Sequence, residues 1–69
     1  MTGQWQKAVE DFNAALNVDD HNADAWASLG LAYEKLGNRA KAAEAYSSAA
    51  SINPGNAEAR AGLARVGAG

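Results

Sequence analysis

The chain has no cysteine and one proline in 69 residues. No disulfide framework, thiolate metal site or cysteine nucleophile can be built, so a small core must hold without covalent or thiolate–metal staples. An excess of either charge is also missing: six Lys+Arg stand against eight Asp+Glu, for a net charge of −2. That balance offers no phosphate-neutralising surface and argues against nucleic acid or an anionic membrane as the partner. No apolar run approaches the ~18 residues of a membrane span. The residues Met1-Thr2-Gly3-Gln4 carry neither the basic cluster nor the apolar stretch of a secretory signal. These absences predict a soluble protein, cytoplasmic by default. No stretch alternates β-branched with polar residues, so no sheet is expected.

What is present is alanine. Hydrophobic residues make up 48% of the chain and most of them are small, which favours helices that pack closely. Trp5, Ala8, Val9, Phe12, Ala15 and Leu16 recur at three-and-four spacing and predict a first helix over about 4–17. Asp19-Asp20-His21-Asn22 breaks it. A second helix over 23–36 has Asn22 as its cap, Asp24 near its positive end and Gly37 past its stop. Asn38 opens a third over 39–52, and Asn53-Pro54-Gly55 closes it, because proline cannot continue the ladder. A fourth follows Asn56 over 57–66 and dissolves at Gly67. Links this short force antiparallel neighbours, so the fold class is all-α, an antiparallel stack of helical hairpins.

Sliding the chain by 34 residues gives ten identical pairs, among them Gly3 with Gly37, Lys7 with Lys41, Ala15 with Ala49, Asn22 with Asn56 and Leu29 with Leu63. Phe12 also falls on Tyr46, and Val18 on Ile52. The first helix therefore repeats as the third, and the second as the fourth. With its 34-residue period, the pattern Trp26-x-x-Leu29-Gly30-x-x-Tyr33, then Gly37, Ala42, Tyr46, Ala49 and Pro54, resembles the tetratricopeptide repeat (TPR) family. The resemblance implies one α-solenoid domain over 1–69. In it, 1–22 is the second helix of a partial repeat, 23–56 a complete repeat, and 57–69 the first helix of a degenerate repeat or cap. Asp20 stands where the family has proline, Arg60 at the Trp position, Ala64 at the Gly and Gly67 at the Tyr. Beginning on a second helix leaves Trp5 and Phe12 without their usual partner helix. The reading favours a fragment of a longer array, with coverage by another copy as the alternative.

The same resemblance implies a non-catalytic protein–protein interaction scaffold that binds a peptide or partner protein on the concave face lined by first helices. Carried over, the groove candidates are Asp24, Ala27, Ser28, Leu31, Glu34 and Lys35 on the second helix, and Glu58, Ala61, Gly62 and Arg65 on the fourth. Family members that clamp a chaperone's C-terminal carboxylates use Lys, Asn and Arg at set positions. Here those slots hold Ser28, Glu58 and Gly62, or Ala27 and Leu31, so such tails are not expected as partners. Alternative functions are a self-associating module using Trp5 and Phe12, or a passive spacer within an array. No cofactor and no metal is expected. His21 beside Asp19, Asp20 and Asp24 reads as capping and turn chemistry, and Ser28, Ser47, Ser48 and Ser51 have no base or phosphate loop to work with.

Overall fold

The computed structural model describes residues 3–68, which build α1 (Gln4–Val18), α2 (Ala23–Lys35), α3 (Arg39–Ile52) and α4 (Ala57–Ala68), with no strand among them. Asparagine starts three of the four helices. The Asn22 side chain accepts from Ala25 N at 3.1 Å, Asn38 from Lys41 N at 3.2 Å and Asn56 from Ala59 N at 2.9 Å. Each cap satisfies a first-turn amide that has no partner inside its helix.

Between α2 and α3 the chain reverses in a tight cap. Asn38 N donates to Tyr33 O at 2.9 Å and Gly37 N to Glu34 O at 3.0 Å. This pair of bonds needs a left-handed residue at the turn. Gly37 supplies it at φ 83°, where a side chain would be strained. The other two links share a different device. His21 N donates to Asp19 Oδ1 at 3.0 Å, and 34 residues later Gly55 N donates to Asn53 Oδ1 at 3.1 Å. The same side-chain turn forms with or without the proline at its second position, so Asp20 in place of proline leaves the geometry of the link intact. The Trp26 indole N–H also donates to Asp20 O at 2.8 Å, tying the first link to α2.

Helices α1 and α3 make one layer and α2 and α4 the other, giving a slab of 31 × 30 × 16 Å. α2 packs on all three of the others, α3 on α2 and α4, and α1 on α2 alone. One apolar cluster joins Val9 and Leu16 of α1 to Ala25, Leu29 and Ala32 of α2 and Ala45 of α3, with Trp5 and Phe12 packed against it. A second joins Ala23 and Ala27 to Ala42, Tyr46, Ala49 and Ala59. Alanine at these crossings lets backbones approach closely, and Tyr46 fills what the alanines leave open.

The helix ends expected from the sequence hold within one residue, with one extension of two: α4 runs through Gly67 to Ala68. The reason lies outside α4. Arg39, at the start of α3, donates from Nη2 to the carbonyls of Arg65 and Val66, both at 3.0 Å, and so caps the last turn against fraying. Val18 is 89% exposed and contributes nothing to the core.

Candidate functional site

The groove candidates lie on α2 and α4, and two polar contacts join these helices along their seam. Near the N-terminal ends, Asn56 Nδ2 donates to Asp24 Oδ1 at 3.0 Å while Asn56 Oδ1 caps α4. Near the other ends, Arg65 grips Glu34 with two parallel bonds, Nε to Oε2 at 2.9 Å and Nη2 to Oε1 at 3.0 Å. Paired geometry of this kind is the strong form of the ion pair.

Beneath that pair lies Tyr46 of α3, 1% exposed. Its hydroxyl donates to Glu34 Oε1 at 2.8 Å and accepts from Arg65 Nη2 at 3.3 Å. The hydrogen-bonded Arg65 guanidinium holds the Glu34 carboxyl below the usual carboxylate range, aided by the Tyr46 hydroxyl against the opposing effect of burial. Burial, then the hydrogen bond to Glu34, pushes the Tyr46 phenol up from 10.0 to about 12. The hydrogen bonds to Glu34 in turn raise Arg65. All three groups keep their ordinary charge states near neutrality, so the cluster ties α2, α3 and α4 together as a fixed polar strut.

Two groove candidates are corrected by this arrangement. Ala27 is fully buried against the Tyr46 cluster. Gly62 is also buried, and a Cβ there would overlap the Tyr46 ring. Both serve the crossing of helices and present no surface to a ligand. Ser28, Leu31 and Glu34 are half-buried, while Asp24, Lys35, Glu58, Ala61 and Arg65 are exposed. The seam therefore reads, end to end, as an acidic pair (Asp24, Glu58), a small apolar stretch (Ser28, Leu31, Ala61), and a neutralised pair (Glu34, Arg65) beside Lys35. Arg65 is already bound to a carboxylate of its own chain and would have to give it up to hold one from a ligand.

The self-association candidates Trp5 and Phe12 are half-buried, both packed against the cluster that joins Val9 and Leu16 to α2 and Ala45. The link residues Asp19, Asp20 and His21 bring their ligand atoms within 4.8 Å of one another but are all exposed. Their turn and the 3.0 Å contact of His21 Nδ1 with Asp20 account for that grouping. A cleft of about 260 Å³ opens between α1 and α3, floored by Trp26, Leu29, Tyr33 and Ala45 and edged by Lys41 and Glu44. It is smaller than the ~300–1,000 Å³ of sites that enclose small molecules. No helix among the described residues is long and apolar enough to cross a membrane.

The sequence points to the seam's residues but not to its bonds. Glu34 with Arg65, and Asp24 with Asn56, are more than 30 positions apart, and only the docking of one hairpin on the next brings them together. Tyr46 is legible as a packing residue, whereas its hydroxyl contacts have no signature in the periodicity.

Comparison with known proteins agrees with this architecture. A family model described as TPR repeat matches residues 2–37, and another described as tetratricopeptide repeat matches residues 23–56. The chain is similar to protein bimA of Emericella nidulans, 35% identical over 54 residues that make up 78% of this chain and 7% of that protein. It is also 38% identical to Superkiller complex protein 3 of both Mus musculus and Homo sapiens, over 52 residues covering 75% of this chain and 3% of each relative. The chain thus spans only a small part of the length of these relatives.

Proposed function

This chain belongs to the tetratricopeptide repeat family, whose repeats mediate protein–protein interaction, and from that premise we propose that it is a non-catalytic scaffold binding a peptide or partner protein along the α2–α4 seam. The observation that carries the reading is the seam itself: two first-of-hairpin helices held side by side by a polar contact at each end, with Ser28, Leu31 and Ala61 open between them. A surface whose ends are fixed needs little reordering when a ligand arrives, which lowers the entropic cost of binding.

The chemistry of the seam selects among ligands. Asp24 and Glu58 lie at one end and neither has a salt bridge among the described residues, so a segment that places Lys or Arg there and a small apolar residue over Leu31 fits best. Acidic C-terminal tails do not. Two helices about 20 Å long and ~10 Å wide offer roughly 400 Å², about half of the ~800 Å² per partner in a standard interface. Binding by these 69 residues alone is therefore expected to be weak.

The test is a titration of isotope-labelled protein with two peptides of equal length and apolar content, one Lys-rich and one Glu-rich. Amide shifts at Ser28, Leu31, Glu58 and Ala61 with the Lys-rich peptide, lost in Glu58→Lys, are expected. Shifts confined to α1 and α3, or equal responses to both peptides, would overturn the reading.

A further inference from the structure

The layer of α1 and α3 is built differently from the α2–α4 seam. No Cα atom of α1 comes within 8 Å of one in α3, whereas α2 and α4 do approach that closely. The two helices stand apart over α2, and a trough opens between them. Its first cleft, of about 260 Å³, is floored by Trp26, Leu29 and Tyr33, whose spacing of three and then four puts them on one face of α2. A second cleft, of about 290 Å³, shares Trp26 and Ser48 with the first and extends to Ile52 and to Asp20 and His21 of the link. Neither reaches the ~300 Å³ at which sites enclose a small molecule, so each suits one large side chain of a protein partner.

Spacing identifies the kind of segment that fits. On the α3 side, Ala45 lines the first cleft and Ile52 the second, roughly 10 Å apart along a helix that rises ~1.5 Å per residue. A helix laid alongside has the same rise, so its side chains at i and i+7 meet the two clefts from one face. An extended segment covers that distance in about three residues, and its side chains at i and i+3 point to opposite faces.

Charge sets the direction. Lys41, Glu44, Ser48 and Ser51 line the α3 edge in that order, and Asp20 lies at the far end. Lys41 and Glu44 have no ion pair among the described residues, and Asp20 has the exposed His21 beside it at 3.0 Å. The complement, taken along the direction of α3, is an acidic residue, a basic residue one turn later, and another basic residue at the end. A helix with Glu in its first turn and Lys in its last carries these charges in the order that suits its own dipole, and a Glu→Lys pair one turn apart adds to its helicity. We infer that the α1–α3 trough is a second docking site, taking an amphipathic helix of a partner protein that runs parallel to α3. Large aliphatic residues at i and i+7 enter the two clefts, a carboxylate meets Lys41, and cations meet Glu44 and Asp20. The site is separate from the α2–α4 seam and does not rest on the function proposed there.

The probe is an alanine-based peptide of about 18 residues, long enough to be helical, with Leu at i and i+7 and the Glu, Lys, Lys order along one edge. Titrated into isotope-labelled protein up to millimolar concentration, it should shift the Trp26 indole N–H and the amides of Ala45, Ser48 and Ile52. A spin label on its first residue should broaden Glu44 more than Ile52. Lys41→Glu should weaken binding roughly threefold, as one exposed ion pair allows. A peptide of the same Leu pattern with every charge reversed should bind more weakly, and the chain carrying K41E, E44K and D20K together should prefer it. Helicity read by circular dichroism confirms that each variant is folded. Shifts confined to Ser28, Leu31 and Ala61 of the seam, equal responses to the two peptides, a triple variant that keeps the original preference, or no shift at all would overturn the inference.

Discussion

At Tyr46 one side chain meets three helices. Its ring lies under Gly30 of α2 and Gly62 of α4, and its hydroxyl bonds Glu34 and Arg65 above. The two glycines are required by the ring, since a Cβ at Gly62 would overlap it and one at Gly30 would sit 2.8 Å away. Gly67 has no such neighbour: a Cβ there would meet nothing within 4 Å. These facts separate two substitutions that helix propensity alone would rank equally. Gly62→Ala should gain the ~1 kcal/mol of propensity yet lose more to overpacking, which typically costs ~1–3 kcal/mol and more where backbone must move. Gly67→Ala meets no clash and should stabilise by up to ~1 kcal/mol. Urea denaturation of the two variants reads the opposite signs directly; stabilisation by Gly62→Ala would show that the ring does not lie where the structure puts it.

Among the elements, the three asparagine caps are chemically alike but unequal in reach. Asn38 and Asn22 each satisfy one amide of their own helix, while Asn56 does this and also binds Asp24 across the seam. Replacing Asn38 by Ala should cost about 1 kcal/mol, and replacing Asn56 by Ala more, because a partly buried bond between helices goes with it. Thermal melts of the two variants give the order, and equal losses would mean that the Asp24 contact contributes nothing. Helix starts, stops and the 34-residue register were legible in the sequence because each rests on chemistry within a few residues: Asn before an apolar run, Gly at a positive φ, Asp19 or Asn53 folding back on its own backbone. The end of α4 was read short for the opposite reason, since Gly67 looks like a stop and the cap that overrides it comes from Arg39 on another helix. The groove list had the same weakness. The family resemblance implies a binding face that includes Ala27 and Gly62, but the way α3 crosses turns both onto Tyr46.

For the molecule as a whole, the cluster of Glu34, Tyr46 and Arg65 makes stability depend on pH at both extremes. Glu34 ionises more readily folded than unfolded, so its contribution is complete above the ordinary carboxylate range and is lost as pH falls through and below that range. Tyr46 behaves in the opposite sense. Its folded phenol titrates at about 12 against an ordinary value of 10.0, so the contribution is complete below the ordinary phenol range and disappears as pH climbs from there to the raised value. Urea midpoints should be level through the middle of the range and fall at both ends. Glu34→Gln should flatten the acid limb, and Tyr46→Phe the alkaline one; limbs unchanged in these variants would show that other groups carry them. The repeat has one further consequence, in time rather than in energy. Side-chain hydrogen bonds that join different helices connect residues between 12 and 32 positions apart, so each stays within one repeat length and an added repeat brings no pairing longer than those already present. Chains wired this locally reach their native state in microseconds to milliseconds, and lengthening the array by another unit would leave that search no harder than before.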